Sequence, residues 1–577
     1  MNRGRILLLR RYYLSILTGL VFAFLQTAEA PCQTADLVLV GGNFATMDEA
    51  NPRAEAIAIS KDRILAIGSN AQIKSLMRAE TKVIDLEGKF AMPGLIEGHA
   101  HFLGLGESMM MLNLSKATSW DEIVTQVGDA AQVTPPGQWI IGRGWHQSKW
   151  NQPPSPNVEG YPTSDAISKL TPNHPVLLTH ASGHMSFAND YAMSLAGVDS
   201  NSQPPAGGEI LKSDSGKPIG VFRETAQSLI QAAQARDERQ KPAAQRSADL
   251  RQAIELASRA CLENGITSFQ DAGSSFEAVD LLRQLALTGE LPVRLFVMLR
   301  ESNERLEARI KNYKLIGIGN DFLTVRALKV SIDGALGPHG AWLLAPYDDL
   351  PSSSGLNTVP LESATRTAEI AIANGFQLCI HAIGDRANRE VLDIYEKQFR
   401  LHPSGVPRRW RIEHAQHLHP DDIARFGKLN VIAAMQGVHC TSDAVFVPKR
   451  LGMRRSQEGA YVWRSLVDSG AVVVNGTDAP VENINPFDSI FASVTRQLTE
   501  GITFFPEQCL TREEALKSYT IDCAYAAFEE TSKGSLVPGK LADIVVLSRD
   551  LVQCPSSEIK STQVLMTIVG GKIVFEK

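Results

Sequence analysis

Eight short apolar runs, most of them separated by helix-like stretches, constrain the fold of this chain more than any other feature. Each run is rich in β-branched or aliphatic residues, which favours buried strands. Strands that alternate with helices form a parallel sheet, and eight such units close into a (β/α)8 barrel of the TIM type. We predict that these strands end at His101, cover 265–273 and 292–299, carry Lys329, end at His381 and at His414, cover 430–436, and end at Asp478.

Six potential metal ligands lie at or near the ends of these runs. They are His99, His101, Lys329, His381, His414 and Asp478. Side chains at the carboxyl ends of barrel strands converge on one mouth, and a His-x-His pair on a strand places both imidazoles on one face. Imidazole and carboxylate groups are ligands that zinc accepts. The pattern therefore predicts a hydrolytic centre with one or two divalent ions per chain, zinc being the expected metal.

Length, charge and cysteine usage narrow the class of protein. The chain has 577 residues, which suits a barrel with insertions, and 44% of them are hydrophobic, which allows a large core. A formal net charge of -6 gives no support for binding to nucleic acid. The seven cysteines form no C-x-x-C pair, which argues against both a disulfide scaffold and a structural zinc site.

The N-terminus has the features of an export signal over residues 1–30. Four arginines precede an apolar stretch at 14–25, and Ala-Glu-Ala at 28–30 offers a cleavage site. The Arg-Arg-Tyr-Tyr-Leu segment at 10–14 also resembles a twin-arginine signal. We predict an exported protein, periplasmic or secreted, with no membrane span after processing. An uncleaved single-span anchor is the alternative.

Both ends of the chain contain strand-like segments that are too few to form separate stable domains. The segments lie within 36–91 and 536–577, and we predict that together they form one small β-sandwich. The barrel then occupies 92–535. The interval 102–264 is too long for one βα unit and holds two further strand candidates, so we predict an inserted subdomain there.

Several motifs resemble those of the amidohydrolase superfamily, in particular the YtcJ-like branch that includes N-substituted formamide deformylases. The matching segments include Pro-Gly-Leu-Ile-Glu-Gly-His-Ala-His, Gly-Arg-Gly-Trp-His-Gln, Ile-Asp-Gly-Ala-Leu-Gly, Arg-Ile-Glu-His-Ala-Gln and Asn-Gly-Thr-Asp-Ala-Pro-Val-Glu. They extend from about residue 36 to the end. The resemblance implies a barrel with a β-sandwich and a divalent metal centre that hydrolyses C–N bonds other than peptide bonds.

The resemblance also implies roles for individual residues. Lys329 matches the lysine that binuclear members carboxylate to form a bridging carbamate, and Asp478 matches the ligand that carries a proton from water to the departing amine. This chain departs from the family where Pro338-His339 replaces a usual Ser-Arg pair and Gln436-Gly437 replaces Gln-Pro. Both changes fall near the mouth, where they bear on substrate identity.

Four further residues are candidates for substrate contacts. His184 and His146 are each a candidate to polarise a substrate carbonyl, with turn capping as the alternative, and Trp145 and His339 are candidates to line the pocket. Aromatic residues such as Trp145 are more often plain core. The predicted function is amide hydrolysis on a small molecule, with a possible homodimer. The alternatives are a lactonase, a carbamate hydrolase, an esterase or an inactive binding homologue.

Overall fold

The computed structural model describes residues 34–180, 185–205, 208–498 and 501–577. The predicted export signal lies outside these residues. Among the described helices, none combines the length and apolar character that crossing a bilayer requires. The six cysteines in this part of the chain are all free thiols.

A parallel eight-stranded barrel forms the centre of the molecule, and the prediction of a (β/α)8 barrel is confirmed. Neighbouring strands of the barrel follow one another in chain order. The first and last strands meet where the amide of Asp478 donates to His99 O, and the amide of His101 donates to Ala479 O, both at 2.8 Å. The strands are β1 (Leu95–Ala100), β2 (Ile266–Ser274), β3 (Arg294–Leu299), β4 (Leu323–Ser331), β5 (Gln377–Ala382), β6 (Arg411–His414), β7 (Ile432–Gln436) and β8 (Val473–Gly476).

Helices cover the outside of the barrel, so both faces of each strand are enclosed. This arrangement explains why β1 and β3 are buried along their whole length, and why β3 after Arg294 reads as a continuous apolar run. The main helices of this layer are Phe102–Met109, Ala243–Glu263, Phe276–Thr288, Asn303–Arg309, Leu361–Asn374, Asp385–Leu401, Pro420–Leu429, Gly437–Asp443, Val447–Gly459, Trp463–Asp468, Pro486–Thr495, Arg512–Lys517 and Ile521–Ala526.

The insertion after β1 has a six-stranded sheet and a hydrophobic core of its own. Its strands are Leu112–Asn113, Ile140–Trp145, Val176–His180, Met185–Ala188, Gly208–Lys212 and Pro218–Glu224. A short hairpin, Asn157–Val158 with Tyr161–Pro162, lies outside this sheet. The helices are Trp120–Val133, Asp165–Leu170, Asp190–Leu195 and Gln227–Gln240. The helices Phe102–Met109 and Ala243–Glu263, at the two ends of the predicted interval, belong to the layer around the barrel and pack on each other. They approach so closely that a Cβ at Gly106 would lie 1.9 Å from Ala253 O.

Strands from both ends of the chain form two sheets that pack face to face. One sheet contains Leu37–Val40, Ala56–Ser60, Arg63–Gly68 and Lys82–Asp85; the other contains Asn43–Ala45, Arg53–Ala54, Phe90–Pro93, Ile544–Leu547, Val564–Val569 and Lys572–Glu576. Phe90–Pro93 pairs antiparallel with Ile544–Leu547, which joins the two ends in one sheet. The apolar residues between the sheets form one buried cluster.

A buried ion pair connects this sandwich to the base of the barrel, which is the end opposite the mouth. Arg294, at the start of β3, donates to both carboxylate oxygens of Asp543 at 2.7 and 3.0 Å. The same guanidinium donates to Asn320 O at 3.0 Å, and the amide of Gly570 donates to Asp543 at 2.8 Å. The charged groups of this pair therefore have partners on several sides.

Candidate metal centre

The barrel brings the six predicted ligands together at the carboxyl ends of its strands. Five of them line one cavity of about 880 Å³: His101, Lys329, His381, His414 and Asp478. His99 is 1% exposed and lies just beneath, with its ring centroid 4.8 Å from that of His414. The barrel thus brings ligands that are far apart in sequence close together in space.

The spacing of ligand atoms fits a divalent ion. Asp478 Oδ1 lies 3.6 Å from His99 Nε2 and 3.3 Å from His101 Nε2. Tetrahedral bonds of about 2.1 Å to zinc place ligand atoms about 3.4 Å apart. His99 Nε2, His381 Nε2 and Asp478 Oδ1 are buried without a hydrogen-bond partner among the described residues. Buried polar atoms usually have partners, so this convergence of unpaired ones fits the donor set of a metal site.

Side chains behind the imidazoles fix which ring nitrogen faces the cavity. His99 Nδ1 bonds to Glu413, and His414 Nδ1 lies 2.7 Å from Gln436 Oε1. Glu413 is held in turn by two bonds from Arg411, at 2.7 and 2.9 Å. With Nδ1 engaged in this way, Nε2 of each ring is left for a metal. Such outer partners orient metal-binding histidines and raise their basicity.

The backbone at two ligands adopts an uncommon conformation. His414 has φ 72° and Asp478 has φ 58°, both in the left-handed region. Side chains alternate along a regular strand, yet Glu413 and His414 both face the barrel interior. The left-handed turn at His414 allows this pair to do so. Strained non-glycine residues concentrate at functional sites because the surrounding fold enforces them.

Burial keeps the imidazoles in the neutral form that binds metals. It lowers the pKa of His99 to about 4 and that of His381 to about 3, and it also lowers the pKa of His414. Burial alone would raise the pKa of Asp478, but the close approach of His101 to its carboxylate and the other nearby imidazoles hold it well below its usual range. At neutral pH the site therefore presents uncharged imidazoles at His99, His381 and His414 and an ionised carboxylate at Asp478.

Lys329 lies on the cavity wall in an environment that disfavours its charged form. The side chain is only 4% exposed, and burial lowers the pKa of its amine. The negative charges of Glu413 and Asp478 act in the opposite direction. A neutral amine is the form that reacts with carbon dioxide, so the position is chemically suited to carboxylation.

Asp333, which lies in the Ile-Asp-Gly segment, is a residue of the site that the motif analysis did not single out. Its carboxylate accepts backbone bonds from Ile383, Gly384 and Trp342 at 2.8–3.0 Å. One of its oxygens is 3.4 Å from His381 Nε2. Burial raises the pKa of Asp333 to about 7. An Asp-Gly pair in sequence is typical of a turn, and only the fold shows that it ties the ends of two barrel strands together.

The predicted substrate contacts are placed differently from the predicted ligands. Trp145 is fully buried in the core of the insertion, where its indole donates to Leu178 O at 2.9 Å. His146 lies beside His180, with ring centroids 4.6 Å apart. His339 lies 3.1 Å from Asp349 and packs on Tyr347. Trp145, His146 and His339 are not among the described residues that line the cavity. His184 lies outside the described residues.

The helix Gly437–Asp443, directly after β7, forms another wall of the cavity through His439 and Asp443. Its first residue is the position where this chain has glycine in place of a usual proline. The amide of Gly437 donates to Asn475 Oδ1 at 2.8 Å, and a Cβ there would lie 2.3 Å from Ser489 O. Proline has no amide hydrogen and carries a ring, so it would remove this bond and collide with the neighbouring helix.

Comparisons with known proteins agree with this fold and site. The model of the amidohydrolase family matches residues 82–575. Protein LONG AFTER FAR-RED 3 of Arabidopsis thaliana is 33% identical over 99% of this chain and 97% of its own length. YtcJ of Bacillus subtilis is 30% identical over 93% of this chain and 99% of its own length. The N-substituted formamide deformylase of Arthrobacter pascens is 28% identical over 94% and 99%.

A solved structure shows the same architecture. The crystal structure of an uncharacterized metal-dependent hydrolase from Pyrococcus horikoshii has a TM-score of 0.73 and 25% identity, and the match covers 90% of this chain and 99% of that one. The barrel, the converging ligands and the family match over most of the chain lead to one conclusion. This chain belongs to the amidohydrolase family and is a metal-dependent hydrolase.

Proposed function

We propose that the protein hydrolyses the C–N bond of a small N-acyl or N-formyl amide that is not a peptide. The observation that carries this proposal is the position of Asp478. One oxygen, Oδ1, lies 3.3–3.6 Å from the Nε2 atoms of His101 and His99, while Oδ2 lies 4.0 Å from His439 Nε2, a second residue of the cavity wall. A carboxylate in this position can serve as a metal ligand through one oxygen and exchange protons through the other.

The cavity has the size and lining expected for a small substrate. At about 880 Å³ it falls within the range of typical ligand pockets. Its apolar residues lie on the walls around the polar centre: Leu336, Pro338, Ile383, Phe446 and Val481. The deformylase of Arthrobacter pascens is named for action on N-substituted formamides, which supports a formyl or short acyl group as the part next to the polar centre.

The residues of this chain divide the work of hydrolysis among them. His99, His101, His381, His414 and Asp478 would hold the metal, with Lys329 beside them. A bound divalent ion lowers the pKa of water to about 7 and so supplies hydroxide at neutral pH. As the water oxygen adds to the amide carbon, Asp478 takes the proton. Asp478 then returns it to the nitrogen as the C–N bond breaks, because an unprotonated amide anion is a poor leaving group.

Zinc is the ion that we propose, and we propose that Lys329 is carboxylated. The neutral imidazoles and the carboxylate suit zinc, and the buried amine of Lys329 suits carbamate formation. Lys329→Ala is expected to lose both metal and turnover, and short carboxylic acids are expected to restore part of each by filling the gap. A Lys329→Ala protein with normal metal content and turnover would contradict carboxylation as a requirement.

A panel of matched substrates tests the proposed bond type. N-benzylacetamide and N-butylformamide present amides, whereas benzyl acetate and γ-butyrolactone present an ester and a lactone. We expect kcat/KM for at least one amide to exceed that for the ester after correction for the uncatalysed rates. Turnover of the ester or lactone alone, by metal-loaded protein, would replace the amide assignment with the esterase or lactonase alternative.

We also propose that the protein is exported. The basic residues and apolar stretch within residues 1–30 carry this proposal. N-terminal sequencing of protein from the cell envelope and the medium should find a mature chain that begins between about residues 28 and 36. A chain that begins at Met1 in those fractions would favour the anchor.

A further inference from the structure

His439 is a buried residue of the cavity wall that lies beside the proposed metal ligands. The residue is 8% exposed, and its Nε2 has no partner among the described residues. Buried polar atoms in native proteins usually have hydrogen-bond partners, so one that lacks a partner requires an explanation. His439 also lines the catalytic cavity, so that the space in front of its ring is open to a substrate.

The ring of His439 lies close to Asp478, the proposed proton carrier. His439 Nε2 is 4.0 Å from Asp478 Oδ2, and its ring is parallel to that of His414, with centroids 6.1 Å apart and an interplanar angle of 11°. Asp478 thus has His99 and His101 on one side and His439 on the other. A carbonyl group bound between these sides would have its oxygen within reach of the His439 imidazole.

The helix that carries His439 is held in place by other residues. At its start, Gly437 bonds to Asn475. At its end, Asp443 accepts bonds from Tyr461 at 2.6 Å and from Gln416 at 2.9 Å. Because these contacts fix both ends, the helix does not need His439 Nε2 to hold its position.

We propose that His439 is a catalytic residue whose Nε2–H donates a hydrogen bond to the carbonyl oxygen of the substrate. As the water oxygen forms a bond to the carbonyl carbon, the C=O π electrons move to the oxygen, and His439 stabilises the resulting negative charge. The proton of the water goes to Asp478 and then to the leaving nitrogen, so His439 gains and loses no proton overall. This role rests on the proposed function and applies equally to the carbonyl of an ester.

Three variants separate hydrogen-bond donation from packing. His439→Phe keeps a planar ring without a donor, His439→Gln restores an N–H donor, and Ser442→Ala is a control on the exposed face of the same helix. We expect His439→Phe to lower kcat by about 10²–10³-fold, as for loss of an oxyanion donor. KM, metal content and melting temperature should change little. His439→Gln should regain part of the lost kcat, and Ser442→Ala should match wild type.

A binding measurement gives a readout that does not depend on turnover. N-benzyl methylphosphonamidate mimics the tetrahedral species formed from N-benzylacetamide, and its affinity can be measured by calorimetry on the metal-loaded protein. The His439→Phe change should weaken its binding by about the same factor as kcat, because only the charged oxygen needs the donor. Affinity for benzylamine, the product that lacks this oxygen, should not change.

Three outcomes would overturn the role of His439. They are an unchanged kcat in His439→Phe, loss of metal in that variant, which would make His439 a ligand, and equal weakening of phosphonamidate and benzylamine. Failure of the proposed function looks different. In that case wild type cleaves benzyl acetate but not N-benzylacetamide, and His439→Phe still lowers ester turnover by the same factor.

Discussion

The base of the barrel and its mouth bury similar chemical groups in different ways. At the base, Arg294 and Asp543 satisfy each other through two hydrogen bonds, and backbone groups from neighbouring segments complete the pairing. At the mouth, the described residues leave ring nitrogens of His99, His381 and His439 without partners, as well as Asp478 Oδ1. At the base, the charged groups of this pair therefore have protein partners, whereas at the mouth several polar atoms have none among the described residues.

This difference separates groups that stabilise the fold from groups that serve the reaction. Pairing of Arg294 with Asp543 at the base connects the sandwich to the barrel. The atoms at the mouth that have no partner among the described residues are available to a metal and a substrate, and departures from full pairing of this kind are expected at functional sites. Changes at the mouth should therefore alter activity at little cost in stability, and changes at the base should do the opposite.

The largest expected effect is the loss of activity in His101→Ala. This residue lies at the edge of the cavity with its side chain 33% exposed, so its removal leaves the packed core intact. We expect turnover to fall below detection and bound metal to decrease, while the melting temperature of the metal-free protein stays within about 2 °C of wild type. His402→Ala, at an exposed position, is the control. A His101→Ala enzyme with normal turnover would remove His101 from the site.

Asp478→Asn tests the proton transfer separately from metal binding. The amide keeps the size of the side chain and one oxygen ligand, but it cannot accept and return a proton. We expect most of the metal to remain while kcat falls by about 10²–10⁴-fold. Elemental analysis and steady-state kinetics on the same sample check this prediction. If the variant stays fast, the proton is carried elsewhere, and if it loses its metal, the binding role dominates.

Arg294→Met tests the base of the barrel. Removal of one partner leaves the Asp543 carboxylate buried without its countercharge, which costs about 3–5 kcal/mol. We expect a lower melting temperature with unchanged kcat per folded molecule below the transition. Arg259→Met provides a matched control, because Arg259 pairs with Glu255 at the surface, where both side chains are more than 60% exposed. Equal destabilisation by the two changes would show that the buried pair at the base contributes no more to stability than an exposed pair.

Asp522→Asn should give a small stabilisation that depends on pH. Burial raises the pKa of Asp522 to about 6, above the value of about 3.9 expected in the unfolded chain. The folded state binds the proton more tightly, so the free energy of unfolding decreases as pH rises from about 4 to about 6. Asparagine has no proton to lose. Above pH 7 the variant should melt about 1–2 °C higher than wild type, with no gain at pH 4. A gain of the same size at both pH values would rule out the titration.

The strands and candidate ligands were predictable because each signal is local. A buried parallel strand reads as an apolar run, so the segments at 265–273 and 292–299 correspond to β2 and β3 within two residues. The ligands follow from residue type at the ends of such runs. The two strand candidates in the insertion, at 138–145 and 175–180, correspond to Ile140–Trp145 and Val176–His180. The other four strands of this sheet were not predicted.

The remaining parts of the site depend on tertiary contacts that the sequence does not display. Asp333 resembles a turn residue until the fold places it 3.4 Å from His381. The ring nitrogen of His439 that lacks a partner among the described residues is visible only in three dimensions. Trp145 shows the reverse, because from the sequence it was a candidate to line the pocket, whereas in the fold it is part of the core of the insertion.

Removal and restoration of metal is the most direct test of the claim that the mouth of the barrel is a metal centre. The purified protein is freed of metal by a chelator, its content is verified by elemental analysis, and zinc is titrated back while amide hydrolysis and metal binding are followed together. The account predicts loss of turnover on removal and its return at one to two equivalents of zinc, with no return in His101→Ala. Full turnover by protein that elemental analysis shows to be metal-free would contradict it.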